Sequence, residues 1–180
     1  GEIDTEVVLF GGPYSNLQAT HALLDVVTDR GARAICTGDV VAYCADPSAT
    51  VAAIRGAEID VIAGNCEQQL AANAMDCGCG FENGSTCDRL SAAWYAHADR
   101  HIGADDRVWM STLPDIACFT HTGRRYAVIH GGATDVSRFL WSTSPDAELA
   151  EEIDVIQSLV GDIEGVIAGH SGIGFIRQVA

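Results

Sequence analysis

The stretch Arg33-Ala34-Ile35-Cys36-Thr37-Gly38-Asp39 sets a short apolar run directly before a glycine and a carboxylate. A run of this length, apolar on both faces and closed by a turn residue, reads as a strand of a buried parallel sheet. The pattern returns at Ile59 to Ala63 before Gly64-Asn65, at Arg125 to Ile129 before His130-Gly131, and at Glu164 to Ala168 before Gly169-His170. Asp39, Asn65, His130 and His170 are thereby delivered at strand ends, where an open α/β sheet gathers its loops into one crevice. Together they make a coherent oxygen and nitrogen ligand set, so a metal site is the leading functional expectation. Taken alone, Asp39 reads as a helix cap or turn carboxylate after a strand; the metal reading comes from its combination with the other three.

Two more strands are expected at Glu6 to Phe10 and Ile173 to Val179. Helical patterns alternate with the strands. Asn16 to Arg30 has polar residues to cap its start and Gly31 to end it, and Asp46-Pro47 is a cap followed by proline at the first helical position, with Gly56 closing that helix. Further helices are expected at Glu67 to Met75, Asp88 to Arg100 and Asp146 to Val160. This alternation predicts an α/β fold with layered helices. The segment Cys77 to Cys87, with three glycines and three cysteines, interrupts the order and reads as a loop.

The 180 residues are 48% apolar and contain no segment of linker composition, so a single domain spanning 1–180 is expected. The ten cations are all arginine, against 25 acidic residues, and the net charge of -15 disfavours nucleic-acid polymers and anionic membranes as partners. No run reaches the roughly 18 apolar residues of a membrane span, no signal peptide is recognisable at the N-terminus, and the seven cysteines are an odd, scattered set. These features suggest a cytoplasmic protein with reduced thiols or metal-bound cysteines.

The ordered set FGGPYSNLQATHALL, CTGDVVAYCADP, VIAGNCEQQL, AAWYAHADRHIGADDRVWMSTLPD, VIHGG and VIAGHSG resembles the calcineurin-like metallophosphoesterases, in particular the small bacterial branch of phosphodiesterases and diadenosine tetraphosphatase-like proteins. The resemblance covers most of the chain. It implies a β-sandwich flanked by helices in αββα layers, carrying two metals bridged by the Asp of a Gly-Asp motif. Residue by residue it makes Asp39, Asn65, His130 and His170 the ligands of one metal. For the other metal, the family's D-x-H motif corresponds to Gly12 and Tyr14, and the last His of its G-H-x-H motif to Gly172, so only the shared Asp39 remains. The His and Asp that follow the family's Asn are here Cys66 and Glu67. The family chain also continues beyond G-H-x-H through another strand, which implies a fragment or a shortened form here.

The resemblance implies a hydrolase acting on a small anionic phosphoester or nucleotide, here through one divalent ion of Mn, Zn or Fe. That ion would act as a Lewis acid towards a phosphoryl oxygen, with Cys66 or Glu67 assisting proton transfer. The bland alternatives are a small buried thiol for Cys66 and a first-turn helix acid for Glu67. Tyr14 is either a phenolate ligand that partly replaces the lost His or a residue packing a helix entrance. Cys77, Cys79 and Cys87 are either additional metal ligands or a local disulfide and free thiols. Arg138 is a candidate phosphate clamp, with surface arginine as the alternative. Trp94, Trp109 and Trp141 read as packing residues. Two other functions remain open: an iron or thiolate-metal redox or sulfur-handling enzyme on the same fold, and a non-catalytic metal- or nucleotide-binding regulatory module.

Overall fold

The computed structural model describes residues 1–179. The elements are β1 (Val7–Phe10), α1 (Leu17–Arg30), β2 (Arg33–Cys36), α2 (Pro47–Gly56), β3 (Asp60–Val61), α3 (Asn65–Ala71), α4 (Thr86–His101), α5 (Ala104–Ser111), β4 (Ala117–His121), β5 (Arg124–Val128), α6 (Asp146–Val160) and β6 (Gly165–Ile167). β1, β2 and β3 form one parallel sheet in that order. In the second sheet β5 is central, antiparallel to β4 and parallel to β6.

Successive side chains of a strand point to opposite faces, and this alternation builds the layers. Ile35 and Ile62 from the first sheet meet Phe119, Tyr126, Val128 and Ile167 from the second in an apolar seam between the two sheets. One residue along, Cys36 turns to the other face and joins Val51 and Ile54 of α2, Leu70 of α3, Tyr95 and Ala98 of α4 and Met110 of α5. On the far side Ala127, Ile129 and Val166 pack against Ile156 and Val160 of α6. The order is helices, sheet, sheet, helix, the expected αββα arrangement.

Local signals explain most boundaries. Asn16 Oδ1 accepts from the Ala19 amide at 3.0 Å, and Gly31 ends α1 in the left-handed region at φ 57°. Pro47 opens α2, and the Ser85 hydroxyl caps α4 by accepting from the Asp88 amide at 3.1 Å.

Four features depart from expectation. Ile173 to Val179 forms no strand, because no strand among the described residues lies alongside it to complete a ladder. Arg177 instead ties the segment to the Ser142 and Ser144 carbonyls and to Asp146, leaving Ile173 and Ile176 exposed. β4 and α5 are additional elements. α3 starts at Asn65 itself and ends four residues before Met75. Finally, Cys87 falls in the first turn of α4 and not in the Gly-rich loop.

Candidate metal centre

Asp39, Asn65, His130 and His170 come together as the four strand ends require. Asp39 leaves the first sheet after β2, and His130 leaves the second after β5. Gly38 makes their approach feasible: it adopts φ 97°, and a side-chain carbon there would lie 2.7 Å from the Gly64 nitrogen and 2.8 Å from His130 Nδ1. Asp39, Tyr14 and His170 themselves hold positive φ values of 53°, 53° and 61°. That conformation is costly for a residue other than glycine, and such outliers gather at functional sites.

Hydrogen bonds fix which atoms face inward. His130 Nδ1 lies 2.6 Å from the Thr37 carbonyl and donates to it, which turns Nε2 toward the centre. There Nε2 is 3.1 Å from Asn65 Oδ1, 3.1 Å from His170 Nδ1 and 3.5 Å from Asp39 Oδ1. The Asn65 amide is oriented by its other end, since Nδ2 donates to the Cys77 carbonyl at 2.8 Å. Asp39 Oδ1 and His170 Nε2 are buried without a hydrogen-bond partner among the described residues. Ligand atoms of Asp39, His130 and His170 all lie within 4.8 Å of one another. Oxygen and nitrogen atoms of metal-ligand type thus converge around His130 Nε2, a donor set of the kind that holds a cation.

The protonation states agree. Burial opposes ionisation of Asp39, but the hydrogen bond and charge of His130 outweigh it and hold the carboxyl below its usual range. Burial likewise disfavours the His130 imidazolium, while Asp39 outweighs that and lifts it above the ordinary value. A proton shared by this pair occupies the position a metal ion would take. Burial and the neighbouring His130 charge lower His170, leaving it a neutral donor.

Glu67 is not open to the crevice as a proton-transfer group. It is fully buried, and its carboxyl accepts from the amides of Asp39 at 2.8 Å, Gly64 at 3.0 Å and Val41 at 3.2 Å. Burial and the Asp39 charge push it up to about 7. Its geometry is that of a clamp joining the Asp39 loop to the start of α3. Cys66 is equally buried, its sulfur 3.5 Å from Asn65 Nδ2. Burial and the charges of Asp39 and Glu67 push its thiol well above the usual range, so it stays protonated.

Tyr14 takes the packing role. Its ring folds back over Gly12, occupying the space any side chain at position 12 would need, and packs tilted against Tyr43 with ring centroids 4.9 Å apart. Burial and Asp39 raise its phenol above the ordinary value, against a phenolate. Gly172 has open space around it. The cysteine loop is not a thiolate ligand group: Cys77 and Cys79 form a disulfide, and Cys87 is an exposed free thiol. Arg138 does not reach into the crevice either. Its guanidinium is engaged by Glu148 at 3.2 Å, Glu151 at 3.6 Å and Glu152 at 2.6 Å. Glu152 in turn caps the loop after His130, accepting from the Ala133 amide at 2.5 Å and the Thr134 hydroxyl at 2.6 Å.

Sequence reading misses Thr37 and Phe139, and takes Trp141 as a packing residue without its partner. Thr37 acts through its backbone carbonyl, which no side-chain pattern reveals. Phe139 lies with its ring 4.3 Å from that of His170, and Trp141 stacks on Phe139 with rings 5.4 Å apart and nearly parallel. The Phe139-Leu140-Trp141 run in a polar loop is the available signal.

No protein-family model and no curated protein sequence matches the chain. Solved structures do. A metallophosphoesterase from Sphaerobacter thermophilus superposes with a TM-score of 0.64 at 17% identity, over 94% of this chain and 61% of that one. A hypothetical protein from Pyrococcus horikoshii OT3 gives 0.69 at 15% identity, over 92% and 69%. A structure described as a "putative diadenosine tetraphosphatase" gives 0.52 at 19% identity, over 73% and 53%. The chain thus spans about three fifths of the Sphaerobacter protein. Strand order, layers and these superpositions together identify the architecture of this chain as the metallophosphoesterase fold.

Proposed function

We propose that this protein is a metal-dependent phosphoesterase in which Asp39, Asn65, His130 and His170 hold a single divalent cation. The observation that carries the reading is the buried convergence of ligand atoms of Asp39, His130 and His170 within 4.8 Å of one another, with Asp39 Oδ1 left without a hydrogen-bond partner among the described residues. The donor set, two imidazoles with a carboxylate and an amide oxygen, suits Mn, Zn or Fe. When bound, such a cation supplies Lewis-acid polarisation of a phosphoryl oxygen.

The chain's own residues supply the rest. Thr37 holds the His130 tautomer, and the Cys77 carbonyl holds the Asn65 amide oxygen inward. Glu67 fixes the Asp39 backbone. Burial and the Asp39 charge keep the Tyr14 phenol protonated, and the Cys66 thiol is a weak donor to the same carboxylate. Because Arg138 is committed to carboxylates, the crevice lacks that cationic clamp, which favours substrates with few negative charges.

The test is metal content per chain, by elemental analysis of protein purified without added metal, for the wild type and Asp39→Asn. The expected result is about one Mn, Zn or Fe in the wild type and loss of metal and of phosphoester turnover in the variant. Unchanged turnover in Asp39→Asn overturns the reading. The Tyr14 ring over Gly12 favours one second reading, a metal-binding module without catalysis. That reading gains if Mn, Zn and Fe loadings all give no turnover while a phosphoester still raises Tm.

A further inference from the structure

The Cys77–Cys79 disulfide sits against the candidate metal centre, and the proposed chemistry gives it no part. Asn65 Nδ2 donates to the Cys77 carbonyl at 2.8 Å and lies 3.4 Å from Cys79 Sγ. The other side of the same turn is anchored too: the Ser137 hydroxyl donates to the Gly78 carbonyl, and the Gly78 amide donates to Asp76 Oδ1 at 2.9 Å. Ser137 belongs to the loop that follows His130. The Cys77–Cys79 turn thereby joins two segments that carry candidate ligands.

A bridge between residues two apart closes almost no chain, so it adds little to the stability of the fold. Its effect is local. It holds the two Cα atoms 5.3 Å apart, where two extended residues would span about 7 Å, and Gly78 takes up the bend at φ 59°. That bend decides where the Cys77 and Gly78 carbonyls point. Gly78 and Gly80, the latter at φ 70°, are the residue type with most conformational freedom to regain once the bridge is cut. The bridge is also selective. The other five cysteines are free thiols, the exposed Cys44 and Cys87 among them, so it is not part of a general oxidised framework. It lies just beneath the surface, flanked by exposed Asp76 and Gly80 and by Met75 at 96% exposure. A local opening of this loop brings a small reductant to it.

Resting on the reading of Asp39, Asn65, His130 and His170 as a metal site, we propose that the Cys77–Cys79 disulfide is a redox switch on that site. In the oxidised state the bent turn holds the Asn65 NH2 and so presents Oδ1 inward, 3.1 Å from His130 Nε2. A dithiol reductant attacks one sulfur and the S–S bond breaks. Cys77 and Cys79 receive two electrons and two protons and become thiols, while the reductant closes into its own disulfide. The Cys77 carbonyl is then no longer fixed, and a Cys79 S–H donor replaces an acceptor-only sulfur beside Asn65 Nδ2. Asn65 loses its orientation, and the cation is held less tightly.

The experiment compares oxidised protein with protein reduced by dithiothreitol and desalted under argon, so that no chelating reductant remains. Thiol titration in denaturant should count five thiols in the first and seven in the second. Titration calorimetry with Mn should give a Kd about tenfold higher after reduction, the usual cost of losing an outer-shell partner, and reoxidation should restore it. In metal-free protein the Asn65 side-chain amide signal in nitrogen–proton NMR, identified by its loss in Asn65→Asp, should shift on reduction. Cys77→Ser combined with Cys79→Ser should behave as the reduced form under both conditions, whereas Cys44→Ser combined with Cys87→Ser should keep the full response. Seven thiols in the oxidised protein, an equal Kd for Mn in the two states, or a response that survives in the Cys77→Ser and Cys79→Ser variant overturns the proposal. The comparison of the two wild-type states decides the matter even where that variant fails to fold. If neither state binds Mn yet the Asn65 signal moves with the disulfide, the switch stands and the metal reading alone fails.

Discussion

Replacing Glu67 by alanine tests whether this carboxylate acts as a clamp. Its two oxygens accept from three backbone amides, at 2.8, 3.0 and 3.2 Å, in a fully buried place. A hydrogen bond to a charged group contributes about 1.5–3 kcal/mol, and each buried donor left unanswered costs about 1–3 kcal/mol. The bonds share one side chain and are not additive, and water entering the cavity would recover part of the loss. A destabilisation of about 4 kcal/mol is expected, of the size seen when one partner of a buried charged contact is removed. For a chain of this length that lowers Tm by about 8–16 °C. Glu67→Gln should lose about half as much, because one oxygen still answers two amides while its NH2 opposes the third. The assay is urea unfolding followed by circular dichroism on metal-free protein, with m held constant as the check on the denatured state. Stability of Glu67→Ala within about 0.5 kcal/mol of wild type, accompanied by a large fall in turnover, would refute the clamp and return Glu67 to proton transfer.

Other outcomes rest on the same geometry. Glu152 is held below its ordinary value because hydrogen bonds from Thr134 and Ala133 and the Arg138 charge outweigh burial; its contribution is complete above the unfolded value near 4.5 and is lost as pH falls through the lowered folded value. Urea midpoints between about pH 3 and 6 should therefore fall more steeply for wild type than for Glu152→Gln, and parallel curves would count against this role. Because Asn65 is held by the Cys77 carbonyl inside the Cys77–Cys79 loop, Cys77→Ser combined with Cys79→Ser should weaken Mn binding about tenfold by titration calorimetry, the usual cost of losing an outer-shell partner. Thr37 contributes only a carbonyl to His130, so Thr37→Val should retain metal, whereas His130→Ala should lose it by elemental analysis.

The strand-end ligands are legible because burial on both faces and a following glycine leave a clear mark, as at Arg33 to Asp39. β4 is not, since Ala117 to His121 mixes polar and apolar residues and gains its identity only by pairing with β5. Ile173 to Val179 shows the converse: its apolar content is that of a strand, yet pairing depends on a neighbour that local sequence does not encode. Within the site, Asp39 and His130 are readable as residue types. The direction of Asn65, the fate of Arg138 and the pairing of Cys77 with Cys79 depend on how side chains meet in the folded chain, and only the fold sets those contacts.

The ring of Tyr14 lying over Gly12 makes the two positions epistatic. Gly12→Asp by itself drives a carboxylate into an occupied ring and forces a side chain onto φ 62°, whereas Tyr14→His by itself leaves an imidazole with no acid beside it. Neither single step on the path to a second cation is productive, and the first of them is destabilising. Directed evolution toward an additional cation site at these positions should therefore start from libraries that vary both codons together.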